Sequence, residues 1–121
     1  MNIAISNTSD KPIYQQLFEQ ISAQILKGEL EKGYSLPPIR QAASELRVSI
    51  ITVKKAWEEL ERAALIYTVT GKGCFVAELS PEELLQKRNE MILKQMQIDT
   101  SYYKSFGLTI EEAVHLMKEV Y

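Results

Sequence analysis

Apolar residues recur every four positions at Ile13, Leu17, Ile21 and Ile25, as one face of a helix does. Asp10 and Pro12 mark a helix start before this run, and Gly28 a stop after it. Ahead of it, Ile3 and Ile5 alternate with polar neighbours, too briefly to separate a short strand from a loose arm. Glu31-Lys32-Gly33-Tyr34 reads as a turn whose glycine can take a positive φ. Pro37 and Pro38 then suit the first turn of a second helix, where a missing amide proton costs nothing. Its apolar members are Ile39, Ala42, Ala43 and Leu46. The pattern breaks at Arg47-Val48-Ser49, and Ser49 is a good N-cap for a third helix over about Ile50 to Ala64. That helix turns Val53, Ala56, Trp57, Leu60 and Ala64 inward. At about 100° per residue, Ile51, Lys54, Lys55 and Glu58 then face outward, with Thr52 on one flank.

After Leu65 the period changes from helical to alternating. Ile66 to Thr70 and Cys74 to Ala77 are rich in β-branched and aromatic residues, with Gly71-Lys72-Gly73 between them, so the segment predicts a β-hairpin. Ser80-Pro81-Glu82-Glu83 opens a fourth helix with a serine cap, a proline at the first position and a glutamate three residues on. Leu84, Met91 and Ile98 recur every seven residues there, beside Leu85 and Ile92, which makes a narrow apolar seam. Gly107 ends it. Thr109-Ile110-Glu111-Glu112 is a second capping box, before a last helix with Ile110, Ala113, Val114, Met117 and Tyr121 on one side.

The predicted fold is mainly α with a small β-hairpin: a winged helix-turn-helix over 1–78, followed by a two-helix C-terminal hairpin over 79–121. Two helices cannot enclose a core alone, so the C-terminal hairpin predicts a homodimer through Leu84, Leu85, Met91, Ile92, Ile98, Val114 and Met117. A chain of 121 residues, 45% hydrophobic and 25% charged, has room for one small domain and an appendage. No apolar run approaches the roughly 20 residues that cross a bilayer. The N-terminus lacks the basic and apolar regions of a secretory signal. With Cys74 as the single cysteine, the reading is a cytoplasmic protein without a disulfide or a cysteine-based zinc cluster.

Net charge of −2 conceals an asymmetry. Residues 37–73 carry 6 basic and 4 acidic side chains, against 3 and 4 over 1–36 and 5 and 7 over 81–121. The net-positive segment is therefore the helix-turn-helix and wing, which is where a phosphate backbone would feel the local field.

Pro12-Ile13-Tyr14-Gln15-Gln16, Gly33-Tyr34-Ser35-Leu36-Pro37, Ile39-Arg40, Val48-Ser49, Thr52-Val53, Glu59-Leu60, Leu65-Ile66 and Gly71-Lys72-Gly73 follow one another in order and in register. Together they resemble the GntR family of bacterial transcription regulators. The short two-helix tail resembles the YtrA-like subfamily. The resemblance implies a dimeric repressor on a palindromic operator of double-stranded DNA, commonly of an operon for ABC-type transporters. It implies that Arg40 contacts DNA at the edge of the major groove, and that Ser49, Thr52 and Lys54 contact phosphate or bases. It makes Gly71 the wing-tip glycine. One departure stands out: Ile50 occupies a position where many members have arginine, and isoleucine cannot read guanine bidentately. An A·T-leaning half-site, with Ile50 or Ile51 against thymine methyls, is one consequence, and specificity lying elsewhere is the other.

The expected DNA-binding set is Arg40, Ser49, Ile51, Thr52, Lys54, Lys55, Gly71 and Lys72, with the start of the third helix in the major groove. Arg40, Lys54 and Lys55 also fit an ordinary solvated helix face, and Ile50 fits the edge of the core. Tyr102, Tyr103, Phe106, Met96 and Met117 are candidates for an unknown small-molecule effector pocket, with dimer core as the alternative. His115 and Cys74 have no partners at ligand spacing, so neither a metal nor any other cofactor is expected. No catalytic set is present, and an enzyme is not expected. The rival reading is a winged-helix protein-interaction module that uses Ile50 and Ile51 to hold a partner protein.

Overall fold

The structure is a computed structural model that describes residues 1–121. It divides into two compact units, Met1–Pro81 and Glu82–Tyr121. The chain runs α1 (Ile13–Leu26), α2 (Ile39–Leu46), α3 (Ile50–Arg62), β1 (Ile66–Val69), β2 (Gly73–Val76), α4 (Pro81–Ser105) and α5 (Ile110–Val120).

In the first unit the four-residue apolar repeat of α1 is borne out: Leu17, Ile21 and Ile25 are buried and Ile13 half-buried. They pack with Ala42 and Ala43 of α2, and with Val53, Ala56, Trp57 and Leu60 of α3, in one core that Leu65, Ile66 and Val76 close. Full burial of a side chain such as Leu17 or Leu60 contributes roughly 1.5–3 kcal/mol. Asp10 does not cap α1. Pro12 holds the N-cap position, and its carbonyl accepts from the N–H groups of Gln15 and Gln16 at 3.0 and 3.1 Å. The two prolines likewise precede α2, with Pro38 as its N-cap.

The N-terminal residues lie extended along α1 and are held by side-chain amides. Gln24, Gln20 and Gln16 each accept from one backbone N–H and donate to the carbonyl of the same residue: Asn2 (3.3 and 2.6 Å), Ala4 (2.9 and 2.7 Å) and Ser6 (2.9 and 2.9 Å). Four residues of helix advance about 6.0 Å and two residues of strand about 6.6–6.8 Å, so the two periods nearly match. The three glutamines thus mimic a pairing strand, and Ile3 and Ile5 pack against the core.

The helix predicted to Ala64 stops at Arg62. Ala64 turns to φ 58 and is exposed, while Leu65 N–H donates to Leu60 O at 3.0 Å and the Leu65 side chain takes the buried place. β1 and β2 pair antiparallel, Ile66 with Val76 through Val69 with Gly73, so Gly73 belongs to the strand and Thr70 to the turn. Tyr67 and Phe75 stack across the hairpin with ring centroids 5.7 Å apart. The far edge of β2 is also used: Leu36 N–H donates to Cys74 O and Val76 N–H to Tyr34 O, both at 2.9 Å.

In the second unit, α4 ends with Gly107 at φ 74, where Gly107 N–H donates to Lys104 O and Leu108 N–H to Tyr103 O. The capping box predicted at Thr109 is present: Glu112 N–H donates to Thr109 Oγ1 at 3.2 Å, and Thr109 N–H to Glu112 Oε1 at 3.1 Å. Neither α4 nor α5 has a buried residue. No helix is long and apolar enough to cross a membrane.

Candidate nucleic-acid interface

The expected DNA-contact residues lie on α2, the start of α3 and the hairpin tip, and α3 begins with a cap. Ser49, extended at φ −72, ψ 152, accepts from the N–H of Thr52 at 3.1 Å and starts α3. Its hydroxyl oxygen also lies 2.7 Å from that of Thr52. These two polar side chains therefore satisfy each other at the helix start. The next residues divide as their spacing predicts. Val53, Ala56 and Trp57 are buried, whereas Ile51, Lys54, Lys55 and Glu58 are exposed. Ile51 is 78% exposed and Ile50 41%, so Ile51 is the apolar side chain this helix offers to solvent, and Ile50 sits at the rim.

Ion pairing separates the cations of the first unit into two groups. Lys11 pairs with Glu19, Lys27 with Glu29, Lys32 with Glu78 and Arg62 with Glu59. Arg40, Arg47, Lys54 and Lys72 have no carboxylate partner and no side-chain hydrogen bond, and Arg40, Arg47, Lys54 and Lys72 are all exposed. Lys55 is held differently, its Nζ 4.0 Å from the centroid of the Tyr14 ring on α1, a contact worth about 0.5–1 kcal/mol at such sites. The unpaired cations thus come from α2, the turn after it, the exposed side of α3 and the hairpin tip. Arg47 was not singled out by the sequence because it falls in the break between two helical patterns, where periodicity assigns no face.

At the tip, Lys72 N–H donates to Val69 O at 2.9 Å, and Gly71 takes φ 78. A side chain at Gly71 would be strained at that angle, so this glycine's role in the geometry is to close the turn that carries Lys72. Thr68 Oγ1 donates to Glu61 Oε2 at 2.6 Å and ties the hairpin to α3.

In the second unit, Leu85, Ile92, Ile98, Val114 and Met117 are exposed and Leu84 and Met91 half-buried. Of the residues suggested for an effector pocket, Met96, Tyr103 and Met117 line one groove of about 340 Å³ between α4 and α5. Tyr102 and Phe106 do not join it; their rings meet edge to face at 5.2 Å. His115 Nε2 lies 3.2 Å from Glu119 Oε1 on the same helix.

Three helices followed by a two-stranded wing, with the outer side of the third helix open, define a winged helix-turn-helix protein. The profile described as "Bacterial regulatory proteins, gntR family" matches residues 13–76. The HTH-type transcriptional repressor YtrA of Bacillus subtilis is 35% identical over 98% of this chain and 91% of its own length. A GntR family transcriptional regulator from Listeria monocytogenes superposes with a TM-score of 0.78 at 29% identity, covering 97% of this chain and all of that one. YtrA from Sulfolobus acidocaldarius, a GntR-family transcription factor, superposes at 0.60 with 36% identity, over 76% of this chain and 97% of its own. The chain belongs to the GntR family, in its YtrA-like branch. It is a DNA-binding transcriptional regulator, a class that is not enzymatic.

Proposed function

We propose that the protein is a dimeric repressor that binds a palindromic operator, each protomer setting the start of α3 in one major groove. Half-sites are then about one helical turn, or a little more, apart. The observation that carries the reading is the set of exposed, unpaired cations on α2, the turn after it, the exposed side of α3 and the hairpin tip, while Lys11, Lys27, Lys32 and Arg62 are neutralised by neighbouring carboxylates. Arg40, Lys54 and Lys72 contact phosphates, and Ile51 lies against thymine methyls, so the half-site leans to A·T. Ser49 and Thr52 shape the helix start, with Thr52 at the rim of the base contacts. Lys55 reaches a phosphate by leaving Tyr14.

The second unit supplies the homodimer through its exposed apolar faces, Val114 and Met117 of the α4–α5 groove among them, and a small-molecule effector in that groove is the alternative use of the same residues. The similarity to the repressor YtrA supports repression of an operon, and ABC transporter genes are the proposed target. A gel-shift titration against the region upstream of the protein's own gene tests the reading. A discrete complex at low protein concentration, competed by a duplex of the same half-sites, is expected. Absence of binding to any duplex at low salt would favour the protein-interaction module, for which the exposed Ile51 is the supporting feature.

A further inference from the structure

We infer that Arg47 is a phosphate anchor beside the start of α3, a contact outside the set proposed above and resting on the same DNA-binding reading. α2 ends in the turn that also ends α1 and α4. Val48 N–H donates to Ala43 O (3.0 Å) and Arg47 N–H to Ser44 O (3.3 Å). The counterparts after α1 are Glu29 to Gln24 (2.8 Å) and Gly28 to Ile25 (3.1 Å), and after α4 Leu108 to Tyr103 (3.2 Å) and Gly107 to Lys104 (2.9 Å). The residue in the left-handed region is Gly28 at φ 81 in the first and Gly107 at φ 74 in the second, but Arg47 at φ 57 after α2. Glycine serves this backbone without steric cost and arginine does not. The turn itself therefore does not select arginine.

Positive φ alone marks nothing, since Ala64 adopts φ 58 at the end of α3. Unlike Gly28, Ala64 and Gly107, Arg47 carries a cation at this position, and like Arg40, Lys54 and Lys72 it is exposed with neither a carboxylate nor a hydrogen-bond partner. It stands two residues before the Ser49 cap, on the segment that leads into α3. The first N–H groups of a helix and its dipole make that end favourable for an anion, and Arg47 adds a planar fork that grips phosphate bidentately. Its backbone is fixed by the two turn bonds, and its neighbour Val48 packs against the core, so the guanidinium swings from a set point. Ile50 and Ile51 offer no donor at the same helix start, which leaves Arg47 the guanidinium nearest in sequence to it. A phosphate contact positions the helix and carries no base preference of its own.

The test uses the full-length protein, a duplex that the wild type enriches from a random-sequence library, and a shuffled duplex of equal length. Arg47→Gly is expected to melt at or above the wild-type temperature, because glycine relieves the left-handed backbone. It is expected to bind both duplexes roughly eightfold more weakly at about 0.1 M salt, with a log–log salt slope shallower by about 0.9. Arg47→Lys keeps the charge and the backbone penalty and should retain most of the slope. Wild-type affinity and slope in Arg47→Gly would overturn the anchor. Weakening confined to the enriched duplex would overturn it in favour of a base contact, and a lowered melting temperature without rescue by lysine would show a structural role instead. If the wild type enriches no duplex, the DNA-binding reading itself fails, a result distinct from each of these.

Discussion

Ser49 and Thr52 are tied to each other twice at the start of α3, by the Thr52 N–H donated to Ser49 Oγ over 3.1 Å and by hydroxyl oxygens 2.7 Å apart. Losing this cap in Ser49→Ala should cost about 1 kcal/mol, a fall of roughly 4–8 °C in melting temperature for a domain this small. Ser49→Asp keeps an acceptor at the cap but places a negative charge where the helix is proposed to meet DNA. It should melt near the wild type and bind DNA more weakly than Ser49→Ala does. Thermal denaturation alongside gel shifts checks both, and an Asp variant that binds like the wild type would move Ser49 off the DNA-facing side.

Arg40 and Lys54 make no ion pair within the protein, so removing either leaves no carboxylate behind without its partner. Arg40→Ala and Lys54→Ala should therefore fold normally, each within about 0.5 kcal/mol of the wild type. Each should reduce the salt slope of DNA binding by about 0.9. Equilibrium titrations at several salt concentrations, with circular dichroism for folding, measure this. Unchanged slopes in both variants would remove the two residues from the contact surface.

The exposed face of α3 was legible because periodicity alone sorts Val53, Ala56, Trp57 and Leu60 inward and Ile51, Lys54 and Lys55 outward, as found. Periodicity failed at Ala64. Alanine is a good helix former and continues the four-residue spacing, and only a backbone reversal shows that Leu65 takes its place. The N-terminal arm was illegible for a different reason. Two isoleucines are too few to define a strand, and their segment pairs with glutamine side chains as many as 22 positions away, on a helix flank where glutamine looks merely polar. The Lys55–Tyr14 contact joins two helices and has no signature in either. Long-range pairings of this kind, Tyr34 and Leu36 with β2 among them, depend on the packed fold and not on any local repeat.

Glu112 offers a pH test within the second unit. The backbone N–H of Thr109, and then its hydroxyl, hold the Glu112 carboxyl below the ordinary glutamate value, outweighing a small opposing effect of burial. A depressed carboxylate pKa stabilises the folded form above the unfolded pKa, and that contribution is lost as pH falls through the lower folded value. The start of α5 should therefore loosen in acid, below about 4.5, and not at neutral pH. The protection of the Ala113 amide, whose N–H donates to Thr109 O, measured relative to its intrinsic exchange rate at each pH, should fall over that range. In Glu112→Gln the acid step should disappear. A step of equal size in the glutamine variant would assign the effect to another carboxylate.

An α4–α5 hairpin that buries no residue of its own, yet exposes Leu85, Ile92, Leu93, Met96, Ile98, Val114 and Met117, lacks the interior that ordinarily stabilises two helices in water. If a second copy supplies that interior, a charge set into the seam must be desolvated on association, at a cost of several kcal/mol. Ile92→Glu on α4 and Met117→Glu on α5 should each convert a dimer into a monomer in sedimentation equilibrium. Because both side chains are solvent-exposed in the isolated chain, neither change disturbs the core formed by Leu17, Val53 and Leu60. The monomers should keep a folded winged helix and bind a single half-site as weakly as one head of the wild type does. On the full palindrome they should lose the gain that linking two heads provides, about 10²- to 10⁴-fold. Dimers that persist in both variants at micromolar concentration would exclude these two positions from the interface, and a monomeric wild type would exclude the paired-head arrangement altogether.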